Sequence, residues 1–481
     1  MPLPADPGAH RTAQLKSIFA GVPLGIAVIG AGWAGCAAAV ELTMQGHRVV
    51  MLDAARVVGG RARGLRRAAS VADADAETPT PSVAGRWEDR LDNGQHILLG
   101  AYSETLRLMR AVGVDLEKSM LRLPLQMRYP PGAGGMDFVA ARLPAPLHLA
   151  VALWRTTGLA RADKMALARL TTAARWIDWR LNDDCSVSEL LERFGQTERV
   201  TALLWRPLCI AALNTPPDRA SAQVFLNVLH DSLGARRAAS DMLIPRVDLG
   251  ALFPDPAARF IAQNGAQVRL ASRITGLRRE SNGWQLEMNA AATKSLEPPL
   301  PLFDRVILAT PFAETARLLA SAGQVVPELQ FDYEPITTCY LQYADTVRLP
   351  LPLYALIDDP GRNDWAQFVF DRGQLDAAQA GLLSVVISAS SDAVALEHSV
   401  LCAAVTRQLA QVFDQASLLT PHCTKVISEK RATFSCSPGL ARPATVSGIE
   451  GIFLAGDYVD SIYPATIEGA VRSGVRAAAS I

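Results

Sequence analysis

Three glycines at fixed spacing, Gly30, Gly32 and Gly35, constrain this chain more than any other feature. They stand in IAVIGAGWAGCAAAVELTMQGHRVVMLDA, which reads as strand, tight turn, helix and a second strand closed by an acid, Asp53. The apolar run from Ile26 to Ile29 predicts a buried strand. Gly30 permits the turn, Gly32 lets backbone approach a pyrophosphate, and Gly35 lets the helix lie close on the sheet. The helix N-terminus then faces the phosphates. Asp53 follows at the distance where a carboxylate accepts the hydroxyls of an adenosine ribose, and the same charge repels a ribose 2′-phosphate. FAD or NAD therefore fits better than NADP.

At 481 residues the chain exceeds what one hydrophobic core organises, so more than one domain is expected. Its 47 basic and 47 acidic residues cancel, which leaves no global field to recruit nucleic acid. Seven dispersed cysteines without a CxxC pair read as reduced, buried and cytosolic, and they offer no metal framework. The uncharged stretch between Lys16 and Glu41 is not a membrane span: Pro23 interrupts it, and the glycine motif explains its apolar character. Residues 1–21 are expected to form a loose tail, and the protein to lie on the cytoplasmic side.

After Asp53, the run AARVVGGRARG carries Gly59, Gly60, Arg61 and Arg63. A second glycine pair followed by an arginine lays more backbone and a fixed positive charge against the same pyrophosphate. Residues 68–86 read as an exposed loop. Asn93-Gly94 makes a turn, and AYSETLRLMRAVG an amphipathic helix. The pattern is mostly helical over 114–244, and the dinucleotide fold resumes near 245 with a helix, an Asn264-Gly265 turn and the strand VILATP at 306–311. Strand-like runs ITTCYLQYA and LLSVVISAS suit a sheet in a second domain.

The C-terminal stretch GIFLAGDYVDSIYPATIEGAVRSGVRAAASI reads as a buried strand, a Gly456-Asp457 turn and a helix opening near Ala465. That helix end favours partial negative charge, such as that on a reduced flavin ring, and Asp457 can accept a hydroxyl. The expected architecture is α/β, with a discontinuous Rossmann-like FAD-binding domain (22–113, 245–312 and 425–481) and a mixed helical and sheet substrate domain (114–244 and 313–424).

Taken together, GAGWAG at 30–35, Asp53, GGRAR at 59–63, Val268, VILATP and GDYVDSIYPATIEGAVRSG at 456–474 resemble the FAD-dependent amine oxidase and phytoene desaturase superfamily. Within it, LDNGQHILLGAYSETLRLMRAVG, LLWRPLCIAALNTPPDRASAQVFLNVLHDSLG and SDMLIPRVDLGALFPDPAARF resemble the squalene-associated hydroxysqualene dehydroxylase branch. The resemblance implies FAD bound non-covalently, with Gly30, Gly32, Trp33, Ala34 and Gly35 lining the pyrophosphate beside Gly60 and Arg61. It also places Asp53 at the ribose, although many relatives carry Glu there. Val268 would meet the adenine, Gly456 and Asp457 the ribityl chain and phosphate, and Thr466 and Ile467 the flavin ring.

The implied activity is reductive removal of an allylic hydroxyl from hydroxysqualene to give squalene, in bacterial squalene and hopanoid biosynthesis. Hydroxide leaves poorly, so an acid should assist its departure. His96 is the candidate, with Asp231, Asp241 and Asp248 as alternatives.

A triterpene substrate must come from a bilayer. The apolar run LPAPLHLAVALW at 143–154 is followed by Arg155, Arg161, Lys164, Arg169, Arg175 and Arg180, which fits peripheral contact with an anionic membrane on its inner face. Packing of 143–154 inside the substrate domain is the equal alternative. Squalene-synthase-like enzymes are candidate partners. The rival readings are a carotenoid or phytoene-type desaturase, an amine oxidase using Tyr458 and Tyr463, and a non-catalytic flavin- and lipid-binding subunit.

Overall fold

The structure, a computed structural model, describes residues 22–65, 91–234, 236–288, 299–324 and 329–481. The expected tail at 1–21 and loop at 68–86 lie outside the described residues. Two five-stranded sheets organise the chain. Their strands, numbered in chain order, are β1 (Gly25–Ile29), β2 (Arg48–Leu52), β3 (Gln267–Arg269), β4 (Arg305–Leu308), β5 (Tyr333–Gln342), β6 (Leu353–Ala355), β7 (Phe368–Asp371), β8 (Leu382–Ser388), β9 (Cys423–Phe434) and β10 (Ile452–Leu454).

The first sheet is parallel, in the order β10-β4-β1-β2-β3. It is drawn from both ends and the middle of the chain. Its central strands are apolar at every position that helices cover, with Ile26, Val28, Ile307 and Leu308 fully buried, because a parallel sheet is packed on both faces. The helix Trp33–Met44 and the C-terminal helix Ile467–Ala479 lie side by side on one face. A Cβ at Gly474 would stand 2.1 Å from the Ala34 carbonyl oxygen, so only glycine allows that approach.

The second sheet is antiparallel, in the order β6-β7-β8-β5-β9. Cys339, Leu341, Val385 and Ile387 face the helix His398–Phe413. The opposite face carries Ile336, Phe368, Phe370 and Val386, which meet Ile97, Leu121, Met242 and Ile244 to form a second apolar layer.

Two expectations are corrected. The region 114–244 holds the helices Arg161–Trp176, Val187–Arg193, Arg206–Leu213 and Ala222–Leu229, but also short strands. Met120–Leu123 pairs with Met242–Pro245, which pairs in turn with Leu98–Leu99, and Gln126–Arg128 pairs with Asp137–Val139. Runs this short fall below the window in which periodicity is readable, and a distant partner decides their state. The second correction concerns the boundary placed at 425. The strand β9 stays in the antiparallel sheet up to Phe434, so the chain returns to the parallel sheet only afterwards. β9 is an edge strand whose exposed Lys430 and Arg431 discourage further pairing, and that charge disguised it.

Candidate functional site

The loop between β1 and the helix Trp33–Met44 is shaped by glycines that tolerate no substituent. Gly30 has φ +109°, and a Cβ there would lie 2.4 Å from the Ala309 carbonyl oxygen. A Cβ at Gly35 would lie 1.9 Å from the Gly30 carbonyl oxygen. A second loop approaches the first: Gly59 donates to the Ala31 carbonyl at 2.8 Å, and a Cβ on Gly60 would stand 3.2 Å from Gly32 Cα. Trp33 locks the two together, its indole donating to the Ala62 carbonyl at 2.8 Å while its ring packs on Phe253. Ala34, beside it in the first helical turn, is buried. The helix starts at Gly32 with no side-chain cap and no acid in its first turn. Bare backbone around an uncapped helix N-terminus is the surface a pyrophosphate needs.

Asp53 closes this loop from below. Its carboxylate accepts from the Ala31 amide at 2.6 Å and the Ala55 amide at 2.7 Å, so it shapes the glycine turn. Its own amide donates to Arg269 at the end of β3, which puts Val268 on the neighbouring strand.

Arg61 and Asp457, 396 positions apart, form an ion pair at 2.6 Å. Arg61 also donates to the Ala432 carbonyl at 2.9 Å, tying the second glycine loop to β9. The Asp457 carboxylate holds the Arg61 guanidinium above its ordinary pKa. Gly456, before it, is fixed by a 2.7 Å bond from its amide to Ser473 Oγ. Thr466 caps the C-terminal helix by accepting from the Gly469 amide at 3.1 Å, and Ile467 is the first helical residue. The expected helix-end field is therefore partly satisfied within the protein. Glu468 was missed by sequence reasoning. It is buried and accepts from the Glu104 and Thr105 amides and the Thr105 hydroxyl, capping the helix Ser103–Ala111 and anchoring the C-terminal helix to it.

The Asn93-Gly94 turn joins this cradle to the antiparallel sheet. Asn93 donates to the Arg61 carbonyl at 3.0 Å and to Glu429 at 3.2 Å. A Cβ at Gly94 would lie 3.6 Å from Thr338 Oγ1 and 3.7 Å from His96 Cε1, so hydroxyl and imidazole flank one spot. His96 Nδ1 is 2.7 Å from the Gly94 carbonyl, which makes it the protonated nitrogen of the neutral ring. Burial holds the His96 pKa below its usual value. Thr338 is fully buried on β5, and its hydroxyl has no hydrogen-bond partner. The same face of the sheet carries Tyr340 and Ser384, whose hydroxyls are bonded to the Asp92 carbonyl and to Gln95, so Thr338 stands out as the unpartnered one, the kind of group a substrate oxygen satisfies. Its only sequence signal is a threonine in phase with Ile336 and Tyr340 in a period-2 strand.

The alternative acids serve other roles. Asp241 is ion-paired to Arg122 at 2.9 Å, and Asp248 caps the short helix Leu249–Leu252. Asp231 accepts from the Tyr463 hydroxyl at 2.6 Å and faces His230 at 3.0 Å. The Tyr458 hydroxyl is engaged with Thr315 at 2.9 Å and its ring packs with Phe312 and Phe331, while the Arg472 guanidinium lies 4.9 Å from the Tyr463 ring centroid, so both rings already have partners within the protein. The segment 143–154 satisfies both readings in part. His148 and Ala152 are buried, whereas Leu147 and Trp154 are exposed. Among the described residues no helix is long and apolar enough to cross a membrane, and no cluster of ligands suits a metal ion.

A parallel sheet with a glycine-built phosphate cradle, beside an antiparallel sheet with an apolar inner face, defines a flavin-dependent oxidoreductase. The family model described as flavin containing amine oxidoreductase matches residues 33–481, and the chain belongs to that family. Its cofactor is FAD. The chain is 29% identical to a hydroxysqualene dehydroxylase of Rhodopseudomonas palustris, over 94% of this chain and 96% of that one. It is 25% identical to a 15-cis-phytoene desaturase of Solanum lycopersicum, over 95% of this chain and 78% of that protein. Cyclohexylamine oxidase from Brevibacterium oxydans shares the fold, with a TM-score of 0.66 at 16% identity over 95% of this chain and 98% of that one.

Proposed function

We propose that this enzyme reductively dehydroxylates hydroxysqualene to squalene, in bacterial squalene and hopanoid biosynthesis. The observation that carries the reading is near full-length similarity to hydroxysqualene dehydroxylases, combined with an apolar sheet face whose buried Thr338 hydroxyl lacks a partner beside the cofactor cradle.

In this reading Gly30, Gly32, Trp33, Ala34, Gly35, Gly60 and Arg61 hold the pyrophosphate. Asp53 and Val268 hold the adenosine, Gly456 and Asp457 the ribityl chain, and Thr466 and Ile467 the ring. The FAD-binding domain comprises 22–113, 245–312 and the segment after 434. The remaining residues of 114–434 form the substrate domain.

The net change is R–OH plus two electrons and two protons to R–H plus water. Reduced FAD, when bound, supplies the hydride. Thr338 donates a hydrogen bond to the leaving oxygen, and His96 delivers the departing proton from Nε2 while Nδ1–H stays on the Gly94 carbonyl. A depressed pKa makes the imidazolium a stronger acid, at the cost of a smaller protonated fraction. The apolar layer of Ile97, Leu121, Met242, Ile244 and Phe370 excludes water, so an allylic cation meets hydride first. The Tyr458 and Tyr463 rings, already partnered by Phe312, Phe331 and Arg472, argue against an amine cage. Contact with an anionic membrane through 143–180 delivers the lipid, and a squalene-synthase-like enzyme is the proposed supplier.

The test is anaerobic incubation of the dithionite-reduced enzyme with hydroxysqualene, followed by mass analysis of the products. Squalene with flavin reoxidation is expected. A more unsaturated product identifies a desaturase, and lipid binding without a flavin change identifies a carrier.

A further inference from the structure

A cavity of about 770 Å³ opens between the turn Pro144–Pro146 and the residues Arg175, Leu233, Gly234, Arg236 and Arg237. Its charge is only partly compensated. Arg237 approaches Asp241 at 3.6 Å, but that carboxylate is already paired with Arg122 at 2.9 Å. Among the described residues neither Arg175 nor Arg236 has a carboxylate partner. His148 lies behind the proline turn, outside the cavity lining. Its amide donates to Pro144 in the cavity wall, its side chain is fully buried, and neither ring nitrogen has a partner. Three guanidiniums line this cavity, where an oxyanion would find charged donors.

The rim is apolar where a soluble-ligand site would be polar. Leu143 and Leu147 flank the proline turn, and Trp176 and Ile177 follow Arg175, all exposed, Trp176 at 86%. Trp154, at 76% exposure, continues this surface at the far end of the helix Leu147–Arg155. Exposed tryptophans beside cations match the headgroup layer of a bilayer, with its apolar and anionic parts. The inner side of the same helix leads inward. Leu149 and Ala152 pack with Leu125 and Phe368, which also belong to the apolar layer over the antiparallel sheet.

We propose that this cavity binds the phosphate of an anionic phospholipid headgroup while its apolar rim enters the bilayer interface, seating the enzyme where a lipid substrate can pass inward. The inward passage rests on the dehydroxylase reading; the headgroup site itself does not.

The holoenzyme is sedimented with vesicles of phosphatidylcholine alone or with about a third phosphatidylglycerol. Wild type partitions at least about tenfold more strongly onto the anionic vesicles, and added salt weakens this. Arg175→Gln with Arg236→Gln lowers anionic partitioning roughly 25-fold, about fivefold per arginine. Trp176→Ala lowers partitioning onto both vesicle types. The visible spectrum of the bound flavin confirms that each variant is folded. Equal partitioning of wild type and the double arginine variant overturns the proposal. So does a rise in melting temperature with inorganic diphosphate, lost in the double variant, while vesicle binding is unchanged; that result marks a site for a soluble phosphate. Partitioning is read without turnover, so failure to form squalene bears on the proposed reaction alone.

Discussion

Replacing Thr338 with valine should stabilise the protein and cripple it. The side chain is fully buried on β5, between β8 and β9, and its hydroxyl has no partner. A buried hydroxyl without a hydrogen bond costs about 1–3 kcal/mol, and a methyl of the same shape removes that penalty. A gain of about 1 kcal/mol is modest in so long a chain. With about 2 cal/mol/K of unfolding entropy per residue, 481 residues give a Tm rise of roughly 1 °C, so a denaturant midpoint measured on the same holoenzyme is the better gauge. Turnover moves the other way. A hydrogen bond to an oxygen gathering negative charge is worth about 1.5–3 kcal/mol, so kcat should fall about 10- to 100-fold. Thr338→Ser, which keeps the hydroxyl, should recover most of the rate. The assay is single-turnover reoxidation of reduced flavin by hydroxysqualene, with flavin content matched between variants. A valine variant that is less stable yet turns over normally refutes the reasoning, because the hydroxyl would then be satisfied inside the protein and idle in catalysis.

Gly35→Ala should yield no yellow holoenzyme, since its Cβ would lie 1.9 Å from the Gly30 carbonyl oxygen; normal flavin content on purification contradicts the cradle. Arg61→Ala should raise the Kd for FAD about tenfold, and combining it with Asp457→Asn should cost less than the sum of the two, as titration of apoprotein with FAD would show. His96 has a pKa held down by burial, so its neutral form predominates near neutrality and kcat should climb as pH falls from 8 toward the His96 pKa, below the usual 6.5. Stability has the opposite slope: the unfolded imidazole binds a proton that the folded one resists, so the fold loses stability as pH falls below about 6.5. His96→Phe should flatten the rate profile and lessen the slope of the stability profile, which His47 and His148, also held down by burial, still tilt; a wild-type rate independent of pH removes His96 as the acid.

What could be read in the sequence was local. Gly30, Gly32, Gly35 and Asp53 fall within one strand-turn-helix-strand unit, where each residue's duty follows from its neighbours' geometry. What escaped was the side-chain meeting of segments far apart in the chain. Nothing around Arg61 announces that its guanidinium pairs with Asp457, and nothing in ITTCYLQYA marks Thr338 apart from the threonine before it until the sheet assigns the two to opposite faces. Glu468 reads as a surface acid of an amphipathic helix, yet it is buried as the cap of another helix.

These long-range pairs share one physical purpose. The parallel sheet supplies a phosphate cradle and the antiparallel sheet an apolar face, but neither fixes its distance from the other. Arg61 does so, bonding at once to Asp457 after β10 and to the Ala432 carbonyl on β9, and its own carbonyl receives Asn93 from the turn that carries His96. A planar fork of donors holds the Asp457 turn and β9 in fixed geometry where a lysine's compact ammonium would not, while the Asn93 bond to the backbone carbonyl is indifferent to the side chain. Arg61→Lys should therefore keep the charge yet let the two sheets slacken. The expected signature is near-normal FAD binding with a reduced rate of hydride transfer, whereas an equal loss of both would confine Arg61 to the phosphates.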